Sequence, residues 1–511
     1  MFEQMFADLA DEALVGAIEQ AAVEEGRACA RRLAAIAELT RRSVDDDDDR
    51  ARWAFDLWAV TAARIGAALT IGQRRASAQM RIAMALRDRL PRVAALFCEG
   101  RISIRVISEL TWRTHLVDDD RVLAEIDAAL AGHAVSWGAL SDEKLTAAVN
   151  ALIERYDPDA VRLAKNALSD RDFRIGAHED GAETTSAWGT LMAADGVAAE
   201  RRILAMINGV CENDPRSVGE RRSDAAGALL NGREQLPCRC GSTDCPKADV
   251  GSPASHIVVH VIADRAAVDA VEEQAAEKPA VTRPEEIADC VAEDESECTP
   301  PPLSDTGVAL LPGLKVMPAV ALADAIAGGA KVAPLWLPGP DPEPHYRPSS
   351  RLAQFVRLRD MFCRFPGCDV PADRCDVDHC VPWPYGPTHP SNLNCKCRAH
   401  HLMKTFCFDL DGWTEVQLAD GSVTFTDPDG RSHTTKPGSA LFFPQFPVHT
   451  AELAPPPPRP PDPMRTARIP KRRRLRSADV AARVKAERAQ NREVRAALAN
   501  PRYGPEGHPP F

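Results

Sequence analysis

Aromatic residues are scarce in this chain, 5% of 511. Strands draw on aromatic and β-branched side chains. Alanine, the best helix former, is plentiful in the first half. A large sheet is therefore not expected there, and helices are. No run of eighteen apolar residues occurs, so no membrane-spanning helix and no membrane partner are expected. The opening "MFEQMFADLADEAL" is acidic and lacks the basic start and apolar centre of a secretory signal. The expected location is the cytoplasm. Histidine is sparse too, 13 residues, yet four of them fall between His379 and His401.

What is present looks globular: 45% hydrophobic and 27% charged residues are ordinary values, and the length suggests two to four domains. The net charge of −12 is an average over opposed blocks. Asp264 to Asp305 holds 13 acidic and 3 basic residues, whereas Arg465 to Arg495 holds 12 basic and 3 acidic. Local blocks, not the mean, decide what such a chain attracts. Fifteen cysteines in a cytoplasmic protein point to metal ligation rather than disulfides. Most are clustered, at Cys238, Cys240 and Cys245 and then from Cys363 to Cys407. The scattered Cys29, Cys98 and Cys211 read as small buried apolar residues.

Residues 1–167 read as successive amphipathic helices, broken by the Asp45 to Asp49 run and restarted at Pro91. Residues 168–340 read as an α+β continuation, with a hairpin near "RDFRIGAHEDGAETTSAWG", a strand at "SHIVVHVIAD" and a disordered acidic insertion over 265–305. A linker over 341–350 leads to a compact Cys/His module at 351–410. A small β extension follows over 411–450, with Asp-Gly turns, and then a Pro-rich spacer and basic disordered tail over 451–511.

The module carries the chemistry. "CRFPGC" sets Cys363 and Cys368 on a Pro-Gly turn, and "CRAHH" supplies Cys397 and His400 about thirty residues on. Two such pairs make a tetrahedral site of the structural zinc type; Cys395 competes with Cys397 by spacing. Inside this frame lie Asp378, His379, Asn392 and His401. Hydrolysis of a phosphodiester needs a metal to stabilise charge and a base to activate water. Asp378 and His401 are suitable ligands, and His379 suits the base. Asn392 either braces the loop or approaches the metal through its carbonyl oxygen. Adjacent strand residues point to opposite faces, and one helical step turns by about 100°. Asp378 and His379, like His400 and His401, should thus serve different tasks.

With "RDMFCRFPGC", "DVDHCVPW" and "SNLNCKCRAHHLMKT", the module resembles an HNH endonuclease of the ββα-metal fold with a zinc knuckle. The resemblance implies cleavage of DNA with a catalytic Mg2+ or Mn2+ ion at Asp378 and His401, His379 as base, and structural Zn2+. It leaves open an alternative, a DNA-binding or regulatory scaffold without catalysis, and does not exclude RNA. The extra Cys375 and Cys380 and the "NCKC" before the last helix depart from the pattern. The whole chain is similar to a helical domain of unknown function fused to an HNH module, the arrangement of the mycobacterial 13E12 repeat family. The stretches "AARIGAALTIGQRRASAQMRIAMAL", "GRISIRVISEL", "DPRSVGERRSDAAGALL" and "CRCGSTDCP" carry that likeness.

Three further segments invite a partner. Residues 62–86 have helix-turn-helix proportions, in which Gln73, Arg74, Arg75, Ser77 and Gln79, at the start of the second helix, would face DNA. An ordinary pair of core helices fits the same pattern. Cys238, Cys240 and Cys245 form a second candidate zinc site without a clear fourth ligand, with His256 and His260 near in sequence. Arg472, Arg473 and Arg474 in the basic tail suit phosphate contacts. A homo-oligomer through the helical region is also compatible with this reading.

Overall fold

The computed structural model describes residues 5–162, 172–176, 185–191, 193–242, 244–245, 331–443, 445–455, 457 and 466–499, with short pieces between 261 and 326. It is mostly helical, with small antiparallel sheets. The chain divides into two compact units, one of residues 1–164 with 335–511, the other of residues 165–334.

In the first unit, seven helices come first: α1 (Asp11–Ser43), α2 (Leu57–Leu69), α3 (Gln73–Asp88), α4 (Pro91–Cys98), α5 (Ile104–Arg113), α6 (Asp120–Trp137) and α7 (Asp142–Tyr156). Their apolar stripes meet in one core around Leu33, Met80, Phe97, Leu110, Leu130 and Val149. Buried Asp127 of α6 accepts the backbone N–H groups of Arg92 and Val93, capping α4 from a neighbouring helix. Alanine matters most in α2. Ala62 and Ile65 face this core, while Ala59, Ala63 and Ala67 face a second core built by the C-terminal module. Small side chains on both faces let α2 lie between the two.

The second core gathers α10 (Ser350–Asp360), the antiparallel strands β6 (Cys375–His379) and β7 (Leu393–Cys397), and α11 (Arg398–Phe406). Cys375 pairs with Cys397, and His379 with Leu393. A three-stranded antiparallel sheet follows over Thr414–Gln417, Val423–Thr426 and Ser432–Thr435. Phe365, Phe408, Trp413 and Phe425 pack between it and the cysteines, so the few aromatics are spent here.

In the second unit, β1 (Phe173–Ile175) pairs with β2 (Ala187–Gly189), and α8 (Ala193–Gly209) packs on α9 (Val218–Leu230). Of the expected strand at "SHIVVHVIAD", β3 (Ile262–Ala263) is seen, paired with β4 (Ala309–Leu311), which pairs in turn with β5 (Lys315–Met317). The rest, like most of the acidic insertion and of the Pro-rich spacer, lies outside the described residues.

Two expectations are corrected. The basic tail is not wholly without structure: α12 (Arg476–Ala499) forms and docks on the helical region. Arg488 reaches the Leu116 carbonyl oxygen, Asp118 and Asp157, and Asn491 donates to the carbonyl oxygens of Asp159 and Val161. Acidic partners supply what the tail's small apolar surface does not. The segment read as a linker is likewise held in place. Glu343 donates its backbone N–H to the Thr388 carbonyl oxygen, and its carboxylate accepts from the backbone N–H and hydroxyl of Ser349 at the start of α10.

Candidate metal centre and reactive pocket

The Pro-Gly turn after α10 and the β7–α11 junction bring Cys363, Cys368, Cys397 and His400 together, all buried, with one ligand atom of each within 4.8 Å of the others. His400 Nδ1 lies 3.4 Å from Cys363 Sγ and 3.3 Å from Cys397 Sγ, and the Cys368 and Cys397 sulfurs are 4.0 Å apart. A tetrahedron with metal–sulfur bonds of about 2.3 Å has edges of about 3.8 Å. The cluster can hold a metal ion such as zinc. Burial opposes charge on His400, yet the Cys363 sulfur beside it favours charge, and the imidazole is pushed up to about 9. A divalent cation would take over that balancing charge.

Cys395 stays out of the cluster. It lies two residues before Cys397, about 6.6 Å along a strand, and its sulfur faces the Val356 carbonyl oxygen of α10. Cys375 points to the Val370 and Pro371 carbonyl oxygens, and Cys380 to that of Glu415.

Gly367 of the knuckle has φ +71°, and a Cβ there would stand 2.6 Å from the Ile71 carbonyl oxygen. The knuckle thus lies directly against the turn between α2 and α3. Residues 57–88 do form two helices around a left-handed Thr70, but the start of α3 is partly engaged. Gln73 donates back to the Ala59 carbonyl oxygen, and Ser77 accepts from the Trp58 indole. Arg74 and Arg75 are exposed, while Gln79 is half-buried.

The β6–β7 pair and α11 place the second residue set. Asp376 and Asp378 alternate with His379 along β6 and meet α11, where His401 and Lys404 share a face three residues apart. His401 Nδ1 is 2.7 Å from Asp376 Oδ2, and its Nε2 is 3.5 Å from Asp378 Oδ1. Both side chains keep solvent access, 26% for His401 and 16% for Asp378. One nitrogen and one carboxylate with open positions suit a hydrated divalent cation. Lys404 Nζ sits 2.7 Å from Asp378 Oδ2 and also donates to the His379 carbonyl oxygen. Burial raises the Asp378 pKa, but Lys404, Lys396 and His401 together hold it below the usual carboxylate range.

His379 is 4% exposed, with Tyr346 stacked on its ring at 5.4 Å. Its Nε2 is 2.9 Å from Thr388 Oγ1, and that hydroxyl donates to the His345 carbonyl oxygen at 2.5 Å. A hydroxyl has one proton, so Nε2 is the donor to Thr388 and Nδ1 carries the lone pair. Burial lowers the imidazole pKa, Asp378 opposes this, and Lys404 adds to it; the net shift is downward. Asn392 is fully committed to the loop: Oδ1 accepts from the Val381 N–H, and Nδ2 donates to the Val381 and Pro387 carbonyl oxygens. Of its two expected tasks, bracing is the one these bonds serve.

Arg472 pairs with Asp56 and Asp479, whereas Arg473 and Arg474 are exposed. In the second unit, Cys238, Cys240 and Cys245 are joined by Cys211, a ligand position rather than the small buried apolar residue expected from its isolated place in the sequence. That cluster, too, can hold a metal ion such as zinc. His256 and His260 lie outside the described residues.

Among the described residues no helix is long and apolar enough to cross a membrane. No solved structure matches the chain. The uncharacterized protein Rv3776 of Mycobacterium tuberculosis is 47% identical over 486 residues, 94% of this chain and 90% of the relative. The uncharacterized protein Rv2100 of the same organism is 47% identical over 495 residues, 94% of this chain and 88% of the relative. A third, "Uncharacterized protein in est 3'region", is 44% identical over 350 residues, 68% of this chain and 96% of the relative. A family model described as a domain of unknown function matches residues 20–360, ending with α10, just before the first cysteine of the Cys/His module, Cys363. The chain belongs to this family, DUF222.

Proposed function

We propose that the β6–β7–α11 unit is an HNH-type ββα-metal module that hydrolyses DNA phosphodiester bonds. The observation that carries this reading is the convergence of Asp378 and His401 next to His379, whose Nε2 is tied to Thr388. Asp378 and His401 would hold a divalent Mg2+ or Mn2+ ion, which when bound offsets charge on the phosphate and the leaving oxygen. His379 Nδ1 takes the proton of the attacking water, and Thr388 keeps the ring in the tautomer that permits it. Asp376 orients His401, and Asn392 fixes the loop between the strands. Cys363, Cys368, Cys397 and His400 would hold structural zinc, so that α11 starts in the right place.

Two observations favour a second reading, a DNA-binding scaffold without catalysis. Lys404 already neutralises Asp378, and Tyr346 covers His379. Incubating the full chain with supercoiled plasmid under Mg2+, Mn2+ or EDTA separates the two. The nuclease reading expects metal-dependent nicked or linear product that His379→Ala abolishes. Absence of product from a zinc-loaded chain in either metal, with DNA still bound, favours the scaffold.

A further inference from the structure

Outside this pocket, two loops of the second unit bring four soft ligands together. Cys211 follows α8, and Cys238, Cys240 and Cys245 follow α9; one sulfur of each lies within 4.8 Å of the others. Cys238 is buried and the rest half-buried. The Cys211 and Cys238 sulfurs are 3.2 Å apart, well beyond the ~2.05 Å of a disulfide.

A buried ion pair braces both ligand loops. Asp214, three residues after Cys211, accepts the backbone N–H of Arg239 at 2.9 Å, between Cys238 and Cys240. Arg216 donates to both Asp214 oxygens, at 3.0 and 2.7 Å, and to the carbonyl oxygen of Pro237 at 2.7 Å, just before Cys238. Gly241, at φ +72°, turns the chain back after Cys240. The apolar core that α8 and α9 share is small, centred on Met206, Ile207, Val210 and Ala225. Cores of that size generally need a disulfide or a metal to hold them.

We propose that Cys211, Cys238, Cys240 and Cys245 bind a structural zinc ion that clasps the end of α8 to the segment beyond α9. Four thiolates select a soft or borderline ion in tetrahedral geometry, and a closed set of four leaves no position for substrate. Each thiol loses its proton as its sulfur–metal bond forms. This site is independent of the pocket at His379 and stands whether or not that pocket cuts DNA.

The test is metal content of the untagged full chain, purified from zinc-replete cells and dialysed against a weak chelator. Two zinc ions per chain are expected, falling to one in Cys211→Ser and to one in Cys363→Ser. A zinc content that Cys211→Ser leaves unchanged, whether one or two per chain, overturns the proposal, whereas a single zinc that Cys211→Ser removes supports it and leaves the Cys363 cluster empty instead. Should Cys211→Ser not fold, cobalt substitution of the unaltered chain decides. Its sulfur-to-cobalt charge-transfer band should correspond to seven sulfur–metal bonds, the two clusters together, and a band of three bonds would overturn the proposal.

Discussion

At the residue scale, each imidazole of the pocket is defined by the atom its neighbour occupies. Asp376 takes His401 Nδ1–H, which leaves Nε2 aimed at Asp378. A carboxylate behind a ligating histidine typically contributes 10–100-fold in metal affinity (order of magnitude). Asp376→Asn should therefore raise the Mn2+ or Mg2+ concentration for half-maximal cleavage by about that factor, with the rate restored at saturating metal. A loss that metal does not restore would place Asp376 in another role. Thr388 sets His379 in the same way, and burial lowers the His379 pKa. A divalent cation at Asp378 pushes in the same direction. A base acts only when unprotonated, so cleavage should rise with pH and level off below the ordinary imidazole value of about 6.5. A plateau reached only well above that value would contradict His379 as base.

At the element scale, the module is held to its surroundings by a buried charge cluster. Asp360, at the end of α10, accepts from Arg359 at 2.8 Å, Arg364 at 3.1 Å and the Cys395 backbone N–H at 2.7 Å. Arg359 continues to the carbonyl oxygens of Pro390 and Leu393, and Arg364 to those of Gly421 and Thr435. All three side chains are fully buried. Removing one partner of such a cluster costs about 3–5 kcal/mol. Asp360→Ala should lower the unfolding free energy of the first unit by that much, read as a fall in its urea midpoint, and an unchanged midpoint would mean the arginines find other partners. The helices, the β6–β7 alternation and the ligands Cys363, Cys368 and His400 were legible, because period, turn residues and ligand spacing are local; Cys397 was not separable from Cys395 by spacing, and the packing of Cys395 against α10 decides between them. Asp376 could have been found as the alternate residue to Asp378, and Lys404 as the helical neighbour of His401. Cys211 could not, since 27 residues separate it from Cys238 and only the packing of α8 on α9 closes that distance. The hold of Glu343 and Tyr346 on the pocket was equally hidden, because a Pro-rich segment carries no period to read.

At the scale of the whole molecule, the opposed charge blocks acquire a partly internal meaning. The backbone of 470–472 pairs with 52–54, and Ile469 enters the module core. Arg476 binds Asp56 through two 2.9 Å hydrogen bonds, while Asp56 also caps α2. Part of the basic tail thus neutralises acidic groups of its own unit, and only a subset of its charges can meet phosphate. Arg473 and Arg474 belong to that subset, being exposed. If the chain binds DNA through them, Arg473→Ala with Arg474→Ala should flatten the slope of log K against log salt by about 2 and leave the urea midpoint unchanged. Arg476→Ala should do the reverse. Asp56, 2% exposed, loses its bidentate partner, and stability should fall by about 1–3 kcal/mol while the salt slope stays. Equal effects of both changes on the slope would show that the docked arginines leave Asp56 to meet DNA, and that the tail is a mobile arm rather than a clamp.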